Sequence, residues 1–112
     1  MSKRLTDRTH LEYVASLPCL ICKAGFYVGS NDIQAHHLLK PWSGKRGMSL
    51  RAGDDNVIPL CFHHHSLLHT KFGSESAFFK HYGLPANYGQ MWAKKLWEKS
   101  PTNNDEIDNL PF

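Results

Sequence analysis

Eight histidines and three cysteines stand in a chain of 112 residues, and their grouping says more than their number. Cys19-x-x-Cys22 puts two thiols on one turn, and Cys61-x-x-His64 repeats the same internal spacing further along the chain. Two such pairs, each aiming both side chains at one point, suit a tetrahedral Zn²⁺ bound by three cysteines and one histidine. His63 adjoins His64, and the x-x spacing is what favours His64 as the fourth ligand. An odd number of cysteines cannot pair off completely in disulfides. The competing readings are ordinary small buried cysteines or a redox pair. The redox reading lacks the strand-and-helix setting that such a Cys-x-x-Cys needs.

A second group uses imidazoles alone. His65 and His69 are four apart in a predicted helix, so both project from one face and can share a cation. The segment carrying His36-His37 is the obvious source of a third ligand. Neighbouring residues of a strand point to opposite faces, so one of this pair is expected to bind metal and the other to be free as a base. Phosphodiester hydrolysis uses both roles. A divalent ion polarises the phosphate and neutralises charge on the leaving oxygen. An imidazole, with an ordinary pKa of about 6.5, can take a proton from water at neutral pH. Three protein ligands leave positions open, as a catalytic site requires.

These groups need elements to hold them. Residues 6–16 are predicted as a helix, with Thr6 or Asp7 as cap and Leu11, Val14 and Ala15 as its apolar stripe. Pro18 ends it and opens a knuckle closed by Gly25. A turn-rich stretch follows, then a short strand over 33–39. Residues 40–55 form a long glycine-rich loop, and residues 56–61 a second strand. A helix is expected over 62–72, another from Ser74 until Gly83 stops it, and a last one over 87–99 with Met91, Trp92 and Leu96 facing the core. The aromatic residues Phe78, Phe79, Tyr82, Trp92 and Trp97 read as core. Residues 101–112 carry Asp105, Glu106 and Asp108 and read as a flexible acidic tail. The class is α+β, helix-rich around a minimal hairpin, as one domain over 1–100.

His36-His37, then Asn56-Val-Ile-Pro-Leu-Cys61, then His64-His65-Ser-Leu-Leu-His69 resembles the signature of the HNH, or ββα-metal, nucleases. The match is also similar to a branch found in phages and prophages, including the recombination-enhancing nuclease group. That branch joins a Pro-Cys-x-x-Cys knuckle to Ala-His-His and Pro-Leu-Cys-x-x-His-His. The likeness covers residues 17–72. It implies a hairpin and helix around one catalytic divalent metal (Mg²⁺, Mn²⁺ or Zn²⁺) held by His36, His65 and His69. It implies His37 as general base, with Asn56 bracing the loop that orients it. Cys19, Cys22, Cys61 and His64 would form the structural zinc site. The chain departs from the commoner pattern at His64, where many relatives carry cysteine; histidine remains a zinc ligand.

The formal charge is +3, but residues 101–112 hold three of the acids and no base. Without them, thirteen basic residues face seven acidic ones, a balance compatible with a polyanionic partner. Lys40, Lys45, Arg46 and Arg51 lie in or beside the loop and are expected to contact backbone phosphates with little sequence preference. Trp42 could stack on an unpaired base or pack on the core. DNA, including single-stranded or branched forms, is the expected partner. A ribonuclease, and a zinc-stabilised nucleic-acid-binding or adaptor module without catalysis, are the alternatives. No apolar run reaches the roughly 18 residues of a membrane span, and the polar start lacks a signal-peptide core, so a cytoplasmic protein is expected.

Overall fold

A computed structural model describes residues 6–29, 32–42 and 52–103. Helix α1 spans Arg8–Ala15 and is capped by Asp7, whose carboxylate accepts the His10 backbone N–H at 3.0 Å. Its buried positions are His10 and Val14, with Leu11 half-buried. Ala15, expected in the stripe, is exposed. The helix is rolled toward residue 10 because the His10 ring packs edge-on against Trp97 and bonds Ser100 Oγ at 2.8 Å.

Strands β1 (Ile33–His37) and β2 (Val57–Cys61) form an antiparallel ribbon in which His36 faces Ile58 and His37 faces Val57. All five β2 residues are buried, because the ribbon is covered on both sides. Val57 packs with Val14 and Leu96 on one side. Ile58 and Leu60 belong with Leu68, Phe78 and Phe79 on the other. Full burial of an aromatic such as Phe78 or Phe79 contributes about 1.5–3 kcal/mol each. The first strand stops two residues earlier than expected. The backbone N–H groups of Leu39 and Lys40 turn away to a side chain, the carboxylate of Glu75, at 2.6 and 3.2 Å. The second begins one residue later, since Asn56 N–H closes a turn onto Gly53 O at 3.0 Å.

Helix α2 (Phe62–Leu67) follows β2 directly. The expected single helix over 62–72 widens at Leu68–Phe72 into a π-type turn, which ends on Gly73 (φ +68) with its N–H bonded to Leu68 O at 2.7 Å. Helix α3 (Glu75–His81) is capped by Ser74 Oγ, and α4 spans Tyr88–Glu98. In α4 the buried stripe is Gly89, Ala93 and Leu96, at spacings of four and three. Met91 lies off that stripe and is exposed, contrary to expectation, while Trp92 is half-buried against the core. Pro101–Asn103 forms a 3₁₀ turn where the flexible tail was expected to begin. Thr102 Oγ1 donates to Asp7 Oδ1 at 3.0 Å and so ties this turn to α1. Residues 104–112 lie outside the described residues. The described chain is a small α+β domain of one two-stranded sheet and several helices. No described helix is long and apolar enough to cross a membrane.

Candidate metal centre

Cys19 and Cys22 lie on the knuckle, Cys61 ends β2, and His64 sits in the first turn of α2; their ligand atoms all fall within 4.8 Å of one another. His64 Nδ1 is 3.5, 3.6 and 3.2 Å from the sulfurs of Cys19, Cys22 and Cys61, and the last two sulfurs are 3.9 Å apart. A tetrahedral ion with Zn–S of about 2.3 Å and Zn–N of about 2.0 Å has S···S edges of about 3.8 Å and S···N edges of about 3.5 Å. The group therefore has the dimensions to hold a metal such as zinc. Burial above all, with Cys19 and Cys61 adding to it, pushes the Cys22 thiol up to about 11 against an opposing hydrogen bond from the Val28 backbone. Crowded thiols of this kind are released from their protons by a cation. His63, the alternative fourth ligand, is exposed and outside the group.

The second group is His36, His65 and His69, again with ligand atoms within 4.8 Å. Their ring centroids are 4.9, 5.3 and 4.9 Å apart. His36 Nε2 is 2.8 Å from the buried Glu75 carboxylate, which holds the proton on that nitrogen and turns the Nδ1 lone pair inward. His65 Nδ1 is 2.6 Å from Gln34 Oε1, which likewise leaves the Nε2 lone pair facing inward. The two inward nitrogens are 3.0 Å apart. Facing lone pairs repel unless a proton or cation lies between them. Burial first, then His36, His69 and His37, depress the His65 pKa to about 4, so at neutral pH the His65 ring is itself neutral. Burial, and then His36, lower His69 as well. The set can hold a cation. It differs from the cysteine group in access: His36 is buried, His65 half-buried and His69 exposed, so one side is open to solvent.

His37 turns to the opposite side of β1, as the pleat requires. Its Nε2 is 2.8 Å from Asp54 Oδ1, and Asp54 Oδ2 accepts the Asp7 backbone N–H at 2.8 Å. Asn56 is buried, and its Oδ1 accepts the Trp42 backbone N–H at 2.6 Å, joining the two ends of the loop. Trp42 takes the second of its two expected roles. Its indole N–H donates to Asp55 O at 2.7 Å and its ring packs on the core, so it is not free to stack on a base. Lys40 is exposed, with its backbone held by Glu75 and Gln90. Lys45, Arg46 and Arg51 lie outside the described residues.

Three side chains that orient these histidines carried no motif in the sequence: Glu75, Gln34 and Asp54. A carboxylate or amide oxygen behind an imidazole is a recurrent support of metal-binding and basic histidines. Nothing local marks such a residue, because the contacts span 39, 31 and 17 positions. The family model described as "Protein of unknown function (DUF968)" matches residues 1–96, and the chain belongs to that family. No curated protein and no solved structure matches the chain.

Proposed function

We propose that this DUF968 member is a metal-dependent endonuclease that hydrolyses phosphodiester bonds, with DNA as substrate and low sequence specificity. The observation that carries the reading is the contrast between two ligand groups. One is closed and thiol-rich; the other is made of imidazoles, braced from behind, and open on the His69 side. Closed four-ligand groups suit structural metal, and open three-ligand groups suit catalysis. His36, His65 and His69 would hold the divalent ion. A bound ion would supply charge neutralisation at a phosphate and at the leaving oxygen.

The chain's own residues account for the rest. With its Nε2 proton accepted by Asp54, His37 would have Nδ1 left to take a proton from the attacking water. Asn56 fixes the backbone at Trp42, where the described part of the chain leaves β1. Lys40, with Lys45, Arg46 and Arg51 from the same loop, would pair with phosphates on either side of the cut. Cys19, Cys22, Cys61 and His64 would hold structural zinc and clamp the knuckle to the start of α2.

The test is incubation of purified protein with plasmid DNA and Mg²⁺ or Mn²⁺, beside a His37→Ala variant. Wild type is expected to nick the plasmid, and the variant to lose about 10²–10⁴-fold in rate. Equal cutting by the two removes His37 as base. Metal binding at the three histidines without cutting of DNA or RNA leaves a binding module instead. Elemental analysis is expected to find zinc retained through purification, and a Cys61→Ser variant to lose it.

A further inference from the structure

Phe26 and Tyr27, at the tip of the knuckle, belong to neither ligand group. Tyr27 is 68% exposed and, among the described residues, makes no ring contact or hydrogen bond. Phe26 stacks on Tyr82 at 4.8 Å yet stays 41% exposed. Gly25 (φ +116) and Gly29 (φ +83) bracket this aromatic segment in backbone conformations that other residues rarely adopt. The Val28 backbone lies beside the Cys22 thiol, so the segment adjoins the ligand group behind it. Large apolar side chains on a braced loop have already lost most of the freedom that binding would otherwise cost.

Two lysines lie beside this segment or share its neighbour Trp92. Lys23 lines the same groove as Tyr27, about 530 Å³ in volume and walled by Leu17, Pro18 and Ile33, with Cys19 and Cys22 of the cysteine group at its back. The Lys23 ammonium lies 5.8 Å from the centre of the Trp92 ring, and that of Lys95 lies 5.4 Å from the same ring. Among the described residues neither lysine is in an ion pair. Each ammonium is within cation–π reach of Trp92, and a strand of repeated negative charge could pair with both.

We propose that Lys23, Tyr27, Trp92 and Lys95 form a second nucleic-acid contact, which takes an unpaired strand by stacking a base on Tyr27 and pairing phosphates with the two lysines. Unpaired bases offer the flat faces that an exposed ring can stack on, and duplexes hide them. An acidic peptide would answer the lysines and leave the Tyr27 ring without a planar partner. The inference rests on the nuclease reading only for the kind of partner, and it adds a preference for substrates with a single-stranded part.

The experiment measures fluorescence anisotropy of a labelled single-stranded oligonucleotide and of its duplex against the full, metal-loaded chain over a range of salt. Tyr27→Ala is expected to weaken single-strand binding about 5- to 150-fold, Tyr27→Phe to keep it, and duplex binding to change little. Lys23→Ala with Lys95→Ala should lower the salt dependence of single-strand binding by about 1.4 in log–log slope. These positions are exposed, so circular dichroism should show folded variants. Plasmid cutting by wild type together with unchanged oligonucleotide binding in all variants would overturn this contact and leave the nuclease reading standing. Tyr27-dependent binding by a chain that cuts nothing would do the reverse. Failure of wild type to bind the single strand at low salt overturns the contact outright.

Discussion

Glu75 is 8% exposed, and its carboxylate serves three groups at once: His36 Nε2 and the backbone N–H groups of Leu39 and Lys40. A buried charge survives only where such partners compensate its desolvation. One side chain thus sets the tautomer of His36 and ends the strand that carries it. Those two jobs can be separated by substitution. Glu75→Gln keeps an acceptor oxygen but removes the charge, and is expected to weaken Mn²⁺ binding about 10- to 100-fold in titration calorimetry with little change in melting temperature. Glu75→Ala also strips two backbone donors of their acceptor, and should cost about 1–3 kcal/mol in urea unfolding. Equal Mn²⁺ affinity in wild type and both variants would remove Glu75 as a support of the ligand set. The sequence showed His36, His65 and His69 by type and spacing. It could not show Glu75, since one acid near a serine cap looks like any first-turn acid.

Helix α4 crosses the core at Gly89, and the approach depends on the missing side chain. A Cβ built there meets Phe79 Cε2 at 2.9 Å and Leu38 Cδ2 at 3.2 Å, and both neighbours are buried side chains with little room to move. In an open helix, Gly→Ala would stabilise by up to about 1 kcal/mol. Here the overpacking outweighs that gain, and Gly89→Ala is expected to destabilise by about 1–3 kcal/mol in chemical denaturation. A stabilised variant would show that α4 can slide on Phe79. At this scale the sequence was informative wherever a local signal ran the element. Proline before the knuckle, Ser74 as a cap, Gly83 in a left-handed turn, and the i, i+4 placing of His65 and His69 all act within a few residues. It misled at Met91 and Ala15, because which side of a short helix is buried depends on the neighbours that roll it.

The two ends of the described chain meet around His10, which is fully buried between α1 and the final turn. Its Nδ1 bonds Ser100 Oγ, and its buried Nε2 has no partner among the described residues. Desolvation lowers its pKa from the ordinary value of 6.5, although Asp7, Asp55 and Asp54 pull the other way. Above pH 6.5 the ring is neutral in the folded and unfolded chain alike. As pH falls from there toward the lower folded value, the unfolded chain takes up the proton first, and stability is lost. Urea unfolding should therefore show a decline below pH 6.5 that is shallower in a His10→Leu variant, even though that variant is less stable at pH 7.5. An identical slope would mean that His10 is not among the groups responsible. The sequence alone determined which cysteines and histidines gather, their division into a thiol-rich and an imidazole-only group, and the order of helices and strands. Those properties are written in short spacings that a single turn or strand converts into geometry. Only the tertiary structure decided that His64 and not His63 joins the cysteines, that Trp42 is spent on the core, and that Glu75, Gln34 and Asp54 stand behind the histidines. Each depends on segments far apart in the chain being packed against one another, and long-range packing leaves no periodic trace in the order of residues.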